Sequence, residues 1–552
     1  MIPSGPIPGS MKDDIVILGG GLAGLTLALQ LRQSCPDASI RVLERQRHPV
    51  PESAHKVGES TVEIGAHYLA EVLDLKDHLD QAHLRKYGLR LFFNAGSNAD
   101  LAQAGELGAS HLLSLRSYQI DRGILENHLA ERVSAAGIEL VDGARVSDVV
   151  LNETDGLHRV SYRIDEQNHE IEARWVVDAM SRGSIIRRRL GLTEDNGHSG
   201  SSVWFRIADR IDIGQWSGNE QWQQRCNQLP RWLSTNHLMG PGYWVWLIPL
   251  ATGSTSVGIV FDNAMHDFDR LKTWEGTLDW LALHQPRCHQ AITESNGQLQ
   301  DFLFLRNFSH GSKQVFSGKR WALTGEAGVF LDPFYSPGSD FIAISNTYVA
   351  DLIRRDLAGE AITRRARHYD RIYQSFYQSS LRLYRDQYPL FGHARAMSAK
   401  TIWDYAYYWS VLALFFFADK LTDLSFFARH GTLLDELRQL HDRIQPMFRR
   451  WAEAEPALDP TGLFVNQSEL PLLVRLNHEL TLVGKEDDEE LDRRMIANGR
   501  MLKNLARELA ALAPAAASDA MGLAASTETA SEPLLVGLPQ HFSDIAPTRS
   551  VS

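Results

Sequence analysis

The residues best placed to do chemistry begin at Gly19-Gly20-Gly21-Leu22-Ala23-Gly24, which satisfies G-x-G-x-x-G. An apolar run, Asp14 to Leu18, precedes it, and an apolar helical pattern, Leu25 to Leu31, follows it. In that setting the six residues build a cradle for the pyrophosphate of a dinucleotide. Gly19 permits the tight turn, Gly21 lets the backbone approach the anion, and Gly24 lets helix and strand pack closely. The helix then opens with free N–H groups at Gly21, Leu22 and Ala23 that face the phosphates. Glu44 ends the next apolar run, 20 residues beyond Gly24, where a carboxylate accepts hydrogen bonds from ribose hydroxyls. Arg45 beside it completes the expected contacts. The competing reading is a glycine turn with no ligand, and the strand–turn–helix setting argues against it. NAD and FAD both use this fingerprint.

The elements that position these residues read as a βαβ unit: strand Asp14 to Leu18, the glycine turn and helix, and strand Ser39 to Leu43. Two later segments, Arg174 to Ala179 and Arg320 to Gly325, read as strands running into turns, the second followed by a helical stretch from Phe341 to Leu357. Between them lie strand-like blocks, Ser201 to Ala208 and Tyr243 to Phe261. The order implies an α/β chain: a Rossmann-like dinucleotide-binding domain over 11–200 that returns at 301–360, with a β-rich substrate domain inserted at 201–300. From Arg364 the composition turns to leucine, aromatic and charged residues at helical spacing, which predicts a C-terminal helical region over 361–512. Residues 513–552 are rich in Ala, Ser, Thr and Pro and read as a disordered tail.

The chain has 552 residues and a formal net charge of −12, which argues against nucleic acid as a partner. Cys35, Cys226 and Cys288 are far apart and form no C-x-x-C pair, so neither a metal site nor a disulfide framework is expected. No secretory signal is read at the start, and a cytoplasmic location is expected. The longest uncharged run, Tyr405 to Ala418, is shorter than the roughly 20 residues of a spanning helix and reads as a buried or interfacial one.

Further segments carry a family resemblance. Trp175-Val176-Val177-Asp178-Ala179 and Trp321-Ala322-Leu323-Thr324-Gly325-Glu326-Ala327 are similar to segments of the aromatic-hydroxylase class of flavoproteins, which favours FAD over NAD. Glu326 stands where that class has an aspartate beside the ribityl chain. Trp244-Val245-Trp246-Leu247-Ile248-Pro249 is W-x-W-x-I-P. Phe330 to Gly338 reads F-x-D-P-x-x-S-x-G, and Lys56 to Thr61, with Gly58 and Glu59, resembles a G-E-[ST]-T strap. Together these resemble the flavin-dependent halogenases, a family of secondary-metabolite biosynthesis, over roughly residues 12 to 355.

The resemblance implies FAD used as FADH2 from a separate flavin reductase, with oxygen and chloride or bromide as co-substrates. Hypohalous acid forms beside the flavin and travels to a catalytic lysine. Trp244 and Trp246 separate flavin from substrate; ordinary strand packing is their competing reading. Lys86, which precedes an apolar strand, stands where the family's lysine lies; a surface lysine is the plain alternative, and Lys56 is a second candidate. The Ser336 hydroxyl is expected to orient that lysine, and the backbone of Gly338 and Ser339 to hold the halide. Tyr335 replaces the glutamate of tryptophan-specific members, and Pro337 lacks one of the family's halide-binding N–H groups. A phenol- or pyrrole-like substrate, free or carrier-bound, suits that departure. An FAD-dependent aromatic monooxygenase is the alternative enzyme, and a catalytically inert flavoprotein the alternative outside enzymes.

Overall fold

A computed structural model describes residues 11–52, 57–93, 98–154, 156–455, 459–484, 487–521 and 533–543. The first apolar run forms the strand Met11–Leu18, whose Ile15, Val16, Ile17 and Leu18 are fully buried. Burial on both faces explains the unbroken hydrophobic run, as expected of a parallel strand. It pairs in parallel with Ile40–Leu43 on one side and Gln167–Asp178 on the other, placing Val16 opposite Arg41 and Ile15 opposite Trp175. Trp321–Leu323 adds in parallel beyond Gln167–Asp178. The fingerprint helix Leu22–Ser34 and the helix Gly338–Leu357 pack together against this seven-stranded sheet.

The second sheet has eight strands, ordered Leu299–Leu305, Gly200–Ile207, Thr255–Asp262, Tyr243–Pro249, Thr235–Gly240, Leu89–Phe93, Gly105–Gly108 and Phe464–Asn466. It crosses the expected boundaries. Two strands come from within 11–200 and one from the helical region, so the substrate sheet is not confined to 201–300. Leu89–Phe93 and Gly105–Gly108 pair with each other, but they join the rest of the sheet through Thr235–Gly240 and are extended by Phe464–Asn466, pairings that no local pattern marks.

The C-terminal region is helical as expected, with Thr363–Leu381, Ala394–Tyr408, Leu424–Ala454, Pro471–Leu480 and Asp488–Leu512 as its main elements. The uncharged run from Tyr405 continues as a π-helical turn, Trp409–Ala413, and is largely buried. Among the described residues no helix is long and apolar enough to cross a membrane. Part of the expected disordered tail is packed instead. Ala515–Ser518 and Leu538–Ser543 are helical, and Leu535, Leu538 and Phe542 are buried, with Phe542 edge-on to Trp451 at 6.1 Å. Three apolar side chains in a small-residue segment supply the contact that its composition conceals; residues 522–532 and 544–552 lie outside the described residues.

Candidate active site

The glycine turn has the geometry its sequence demands. Gly19 has φ +104°, and a Cβ there would sit 2.7 Å from the Ala179 carbonyl oxygen. A Cβ on Gly24 would meet the Gly19 carbonyl oxygen at 1.9 Å, whereas one on Gly21 would meet nothing within 4 Å. Gly21, Leu22 and Ala23 therefore present backbone to open space, at the start of a helix that needs acceptors for its first N–H groups. That space belongs to a cavity of about 380 Å³, also lined by Arg45, Arg122 and Arg182. An anion cradle with guanidinium groups around it fits the pyrophosphate of FAD. Gly58, Glu59 and Glu326 line the same cavity. Glu44 is placed differently. Its carboxylate accepts from the backbone N–H of Gly20 (2.6 Å) and of Gln46 (2.8 Å), so it braces the glycine turn, and it is Arg45 that reaches the cavity wall.

At the far end stand Trp244 and Trp246, buried, with ring centroids 5.7 Å apart. Each indole is fixed by its N–H to a different wall. Trp244 Nε1 donates to the Tyr388 hydroxyl (3.2 Å), which donates to Asp332 Oδ2 (2.6 Å); His198 Nε2 meets the same oxygen at 2.6 Å. Trp246 Nε1 donates to Ser256 Oγ (3.2 Å), and the Ser256 hydroxyl reaches Glu59. Burial pushes the Glu59 carboxyl up, although the Arg206 guanidinium holds it through Nε at 2.7 Å. Trp246 lies across Gly258 of the neighbouring strand, where a Cβ would come within 2.2 Å of the ring. A glycine inside a strand marks such a close approach.

The segment Pro333 to Pro337 forms the wall between these tryptophans and the helix Gly338–Leu357. Tyr335 (φ +67°) and Ser336 (φ +58°) both occupy the left-handed region, a strain that the surroundings must hold. They do so from below: Tyr335 Oη donates to Asp404 Oδ2 (3.0 Å), which also accepts from Lys400 Nζ (2.7 Å). Gln445 closes the group, with Nε2 donating to Asp404 Oδ1 (2.7 Å) and Oε1 accepting from Lys400 (2.8 Å). Gly338 and Ser339 open the helix and line the cavity. Backbone N–H groups there lack intrahelical acceptors, the condition for holding an anion. A second cavity of about 140 Å³ lies among the C-terminal helices, with Asp404, Tyr407, Tyr408 and His441 in its wall.

Lys86 follows the two-residue strand Leu84–Arg85 and is buried, not a surface lysine. Its Nζ donates to Ser60 Oγ (2.9 Å) and to the Thr61 carbonyl (2.8 Å). Burial brings its ammonium down to about 7, opposed by the charges of Glu63 and Asp340. Burial likewise raises the Asp340 carboxyl to about 7, while its oxygens accept from the Gly65 N–H (2.8 Å) and the Tyr408 hydroxyl (2.6 Å). His237 is brought down to about 3 by burial and by the Lys86 charge, so it is neutral. Ser336 lines the cavity but makes no hydrogen bond to Lys86, which corrects the expected orienting role; its left-handed backbone turns it to the cavity wall. Lys56 lies outside the described residues. Sequence reasoning missed Arg122, Thr235, His237 and Tyr388, none of which sits in a recognisable spacing; Ser60 and Asp332 lay inside recognised motifs without an assigned role.

The FAD binding domain family matches residues 12–231, so the chain carries an FAD-binding domain. The flavin-dependent halogenase chlA of Dictyostelium discoideum is 27% identical over 431 residues, covering 72% of this chain and 70% of that protein. The 1H-pyrrole-2-carbonyl-(peptidyl-carrier protein) chlorinase of Pseudomonas fluorescens is 27% identical over 364 residues, covering 61% of this chain and 74% of that protein. Among solved structures, halogenase PltM in complex with phloroglucinol and FAD shares the fold. Its TM-score is 0.62 at 16% identity, over 93% of this chain and 99% of that one.

Proposed function

We propose that the chain is a flavin-dependent halogenase, as its FAD-binding domain and its 27% identity to two halogenating relatives support, and that it halogenates an electron-rich aromatic ring by way of Lys86. The observation that carries this reading is the placement of the lysine. Lys86 Nζ is buried outside the FAD cavity, one hydrogen bond behind the Ser60 hydroxyl that lines it. Trp244 and Trp246 stand in the cavity wall, locked by their indole N–H groups, so a substrate beyond them is kept from direct contact with the flavin.

Gly21, Leu22, Ala23 and Arg45 hold FAD in this reading, with Gly19 and Gly24 shaping the turn, Glu44 bracing it and Gly58, Glu59 and Glu326 along the cavity. When bound, reduced FAD supplies the electrons with which oxygen oxidises halide to hypohalous acid. The helix start at Gly338 and Ser339 holds the halide. The Lys86 ammonium then donates a hydrogen bond to the oxygen of hypohalous acid and polarises its halogen toward the ring. The ring carbon–halogen bond forms as the oxygen–halogen bond breaks. The oxygen leaves as water with a proton from Nζ, and the proton lost by the ring carbon restores the ammonium.

A separate reductase supplies FADH2 in this reading, as the resemblance to the halogenases implies. The substrate is phenol- or pyrrole-like. Tyr335 in place of a carboxylate supports a ring whose own OH or NH sheds charge, and the pyrrole-carrier relative supports a carrier-bound substrate. The test is product mass from purified protein, reduced FAD and a panel of phenols and pyrroles, with chloride, bromide or no halide. Halogen incorporation is expected. Gain of one oxygen atom without halide would make the protein a monooxygenase and overturn the reading.

A further inference from the structure

Lys86 is held by an unexpected serine. Ser60 Oγ accepts from Lys86 Nζ (2.9 Å), and its hydroxyl is then free to donate to Thr235 Oγ1 at 3.0 Å. Thr235 Oγ1 in turn lies 3.0 Å from Gln119 Oε1 and accepts from Gln119 Nε2 at 2.9 Å, so a buried amide anchors the chain of hydroxyls that begins at the ammonium. Ser60, Thr235 and Gln119 are all buried, and Ser60 and Thr235 also line the FAD cavity. The backbone fixes both ends. Ser60 bridges to Gln119, Thr61 N–H donates to the Tyr118 carbonyl (3.0 Å), and Ile120 N–H donates to the Glu59 carbonyl (2.7 Å). On the other side of the same segment, Leu84 pairs with Gln119, and Lys86 N–H donates to the Ser117 carbonyl (2.9 Å). Strap and lysine are thus riveted to opposite edges of one short strand, and the Ser60 hydroxyl spans the gap between cavity and ammonium.

We propose that Ser60 is the positioning residue of the lysine: its hydroxyl, oriented by Thr235 and Gln119, aims the Lys86 ammonium and marks the point at which hypohalous acid leaves the FAD cavity. This rests on the halogenase reading above. Two of the three Nζ protons are taken by Ser60 and the Thr61 carbonyl, which leaves one donor direction for hypohalous acid. Without the serine hydroxyl the ammonium loses a fixed acceptor and its rotamer freedom returns, so the donor no longer points one way. Loss of an acceptor from the charged form also favours the neutral amine.

The test compares wild type with Ser60→Ala, Ser60→Thr and Thr235→Val. The ratio of halogenated product to reduced FAD consumed is measured, so a change in flavin oxidation cancels. A soluble dione that captures hypohalous acid is added in parallel. Ser60→Ala should lower the ratio about 5- to 20-fold, with captured hypohalous acid rising in its place, the scale of one misplaced catalytic group. Ser60→Thr should restore the ratio to within about twofold, and Thr235→Val should fall between. Independently of turnover, NMR titration of ¹³C-labelled lysine, with the Lys86 signal assigned by its loss in Lys86→Met, should show the Lys86 midpoint moving to lower pH in Ser60→Ala. A normal product ratio and an unmoved titration in Ser60→Ala would overturn the proposal. Failure of wild type to halogenate any of the panel would overturn the halogenase reading instead.

Discussion

Replacing Lys86 with methionine should abolish halogenation and yet make the protein more stable. The side chain keeps most of its length and loses its charge. A displacement of the ammonium from 10.5 to about 7 corresponds to roughly 5 kcal/mol against the charged, buried form. Against this gain, the Thr61 carbonyl and Ser60 Oγ lose a donor, at about 1 kcal/mol or somewhat more each. The net is a stabilisation of roughly 2–3 kcal/mol. The sign of the pH dependence follows. Between about 7 and 10.5 the unfolded chain holds the lysine proton and the folded chain has released it, so wild-type stability rises with pH across that window. The advantage of Lys86→Met is therefore full below pH 7 and fades toward pH 10.5. Urea unfolding of the FAD-loaded protein at pH 6.5 and pH 9 measures it, beside the product ratio with supplied reduced FAD. A variant less stable than wild type at pH 6.5 would refute the strained ammonium. Near-normal halogenation would remove Lys86 from the chemistry.

Gly21→Val should lose FAD while folding normally, since a side chain there meets no protein atom but fills the cradle; flavin absorbance after dialysis and the unfolding midpoint check both halves. Gly258→Ala places a methyl group 2.2 Å from the Trp246 ring, so about 1–3 kcal/mol of stability should be lost and product per flavin oxidised should fall. Tyr388→Phe strips the Trp244 indole of its acceptor and should cost about 1–3 kcal/mol, with increased direct oxygenation of substrate seen by mass spectrometry. Steady NADH oxidation should be absent with the purified chain alone and begin when a flavin reductase is added; sustained oxidation coupled to product without the reductase would contradict a two-component system.

What was legible in the sequence was what the chain encodes locally. Gly19, Gly21 and Gly24 serve one turn within six residues, and each of their backbone demands is visible in the residue type. The buried parallel strands announced themselves as unbroken apolar runs. The second sheet was only partly legible, because Leu89–Phe93 and Phe464–Asn466 reach it through pairings with strands far away in the chain. Lys86 was put forward on the family resemblance of its segment, and Ser336, the partner expected for it, makes no hydrogen bond to it. Ser336 stands in a motif and Ser60 in a strap, and only the strand Tyr118–Gln119, which draws Ser60 and Lys86 together, decides between them. Glu44 was read as a ligand group when its first duty is to the Gly20 N–H. A carboxylate at a strand end looks the same in sequence whether it faces a ribose or its own turn.

The buried set of Tyr335, Asp404, Lys400 and Gln445 ties two distant stretches of the chain into one heritable unit. A chimera that joins this nucleotide domain to the C-terminal helices of a relative would set Tyr335 over a foreign floor. Unless the donor helices bring their own cation and carboxylate, the two left-handed residues of the loop lose what holds them. Recombination between residues 340 and 400 therefore breaks a matched set. Productive exchange requires Tyr335 to travel with the helices that support it, so a working junction lies upstream of Asp332.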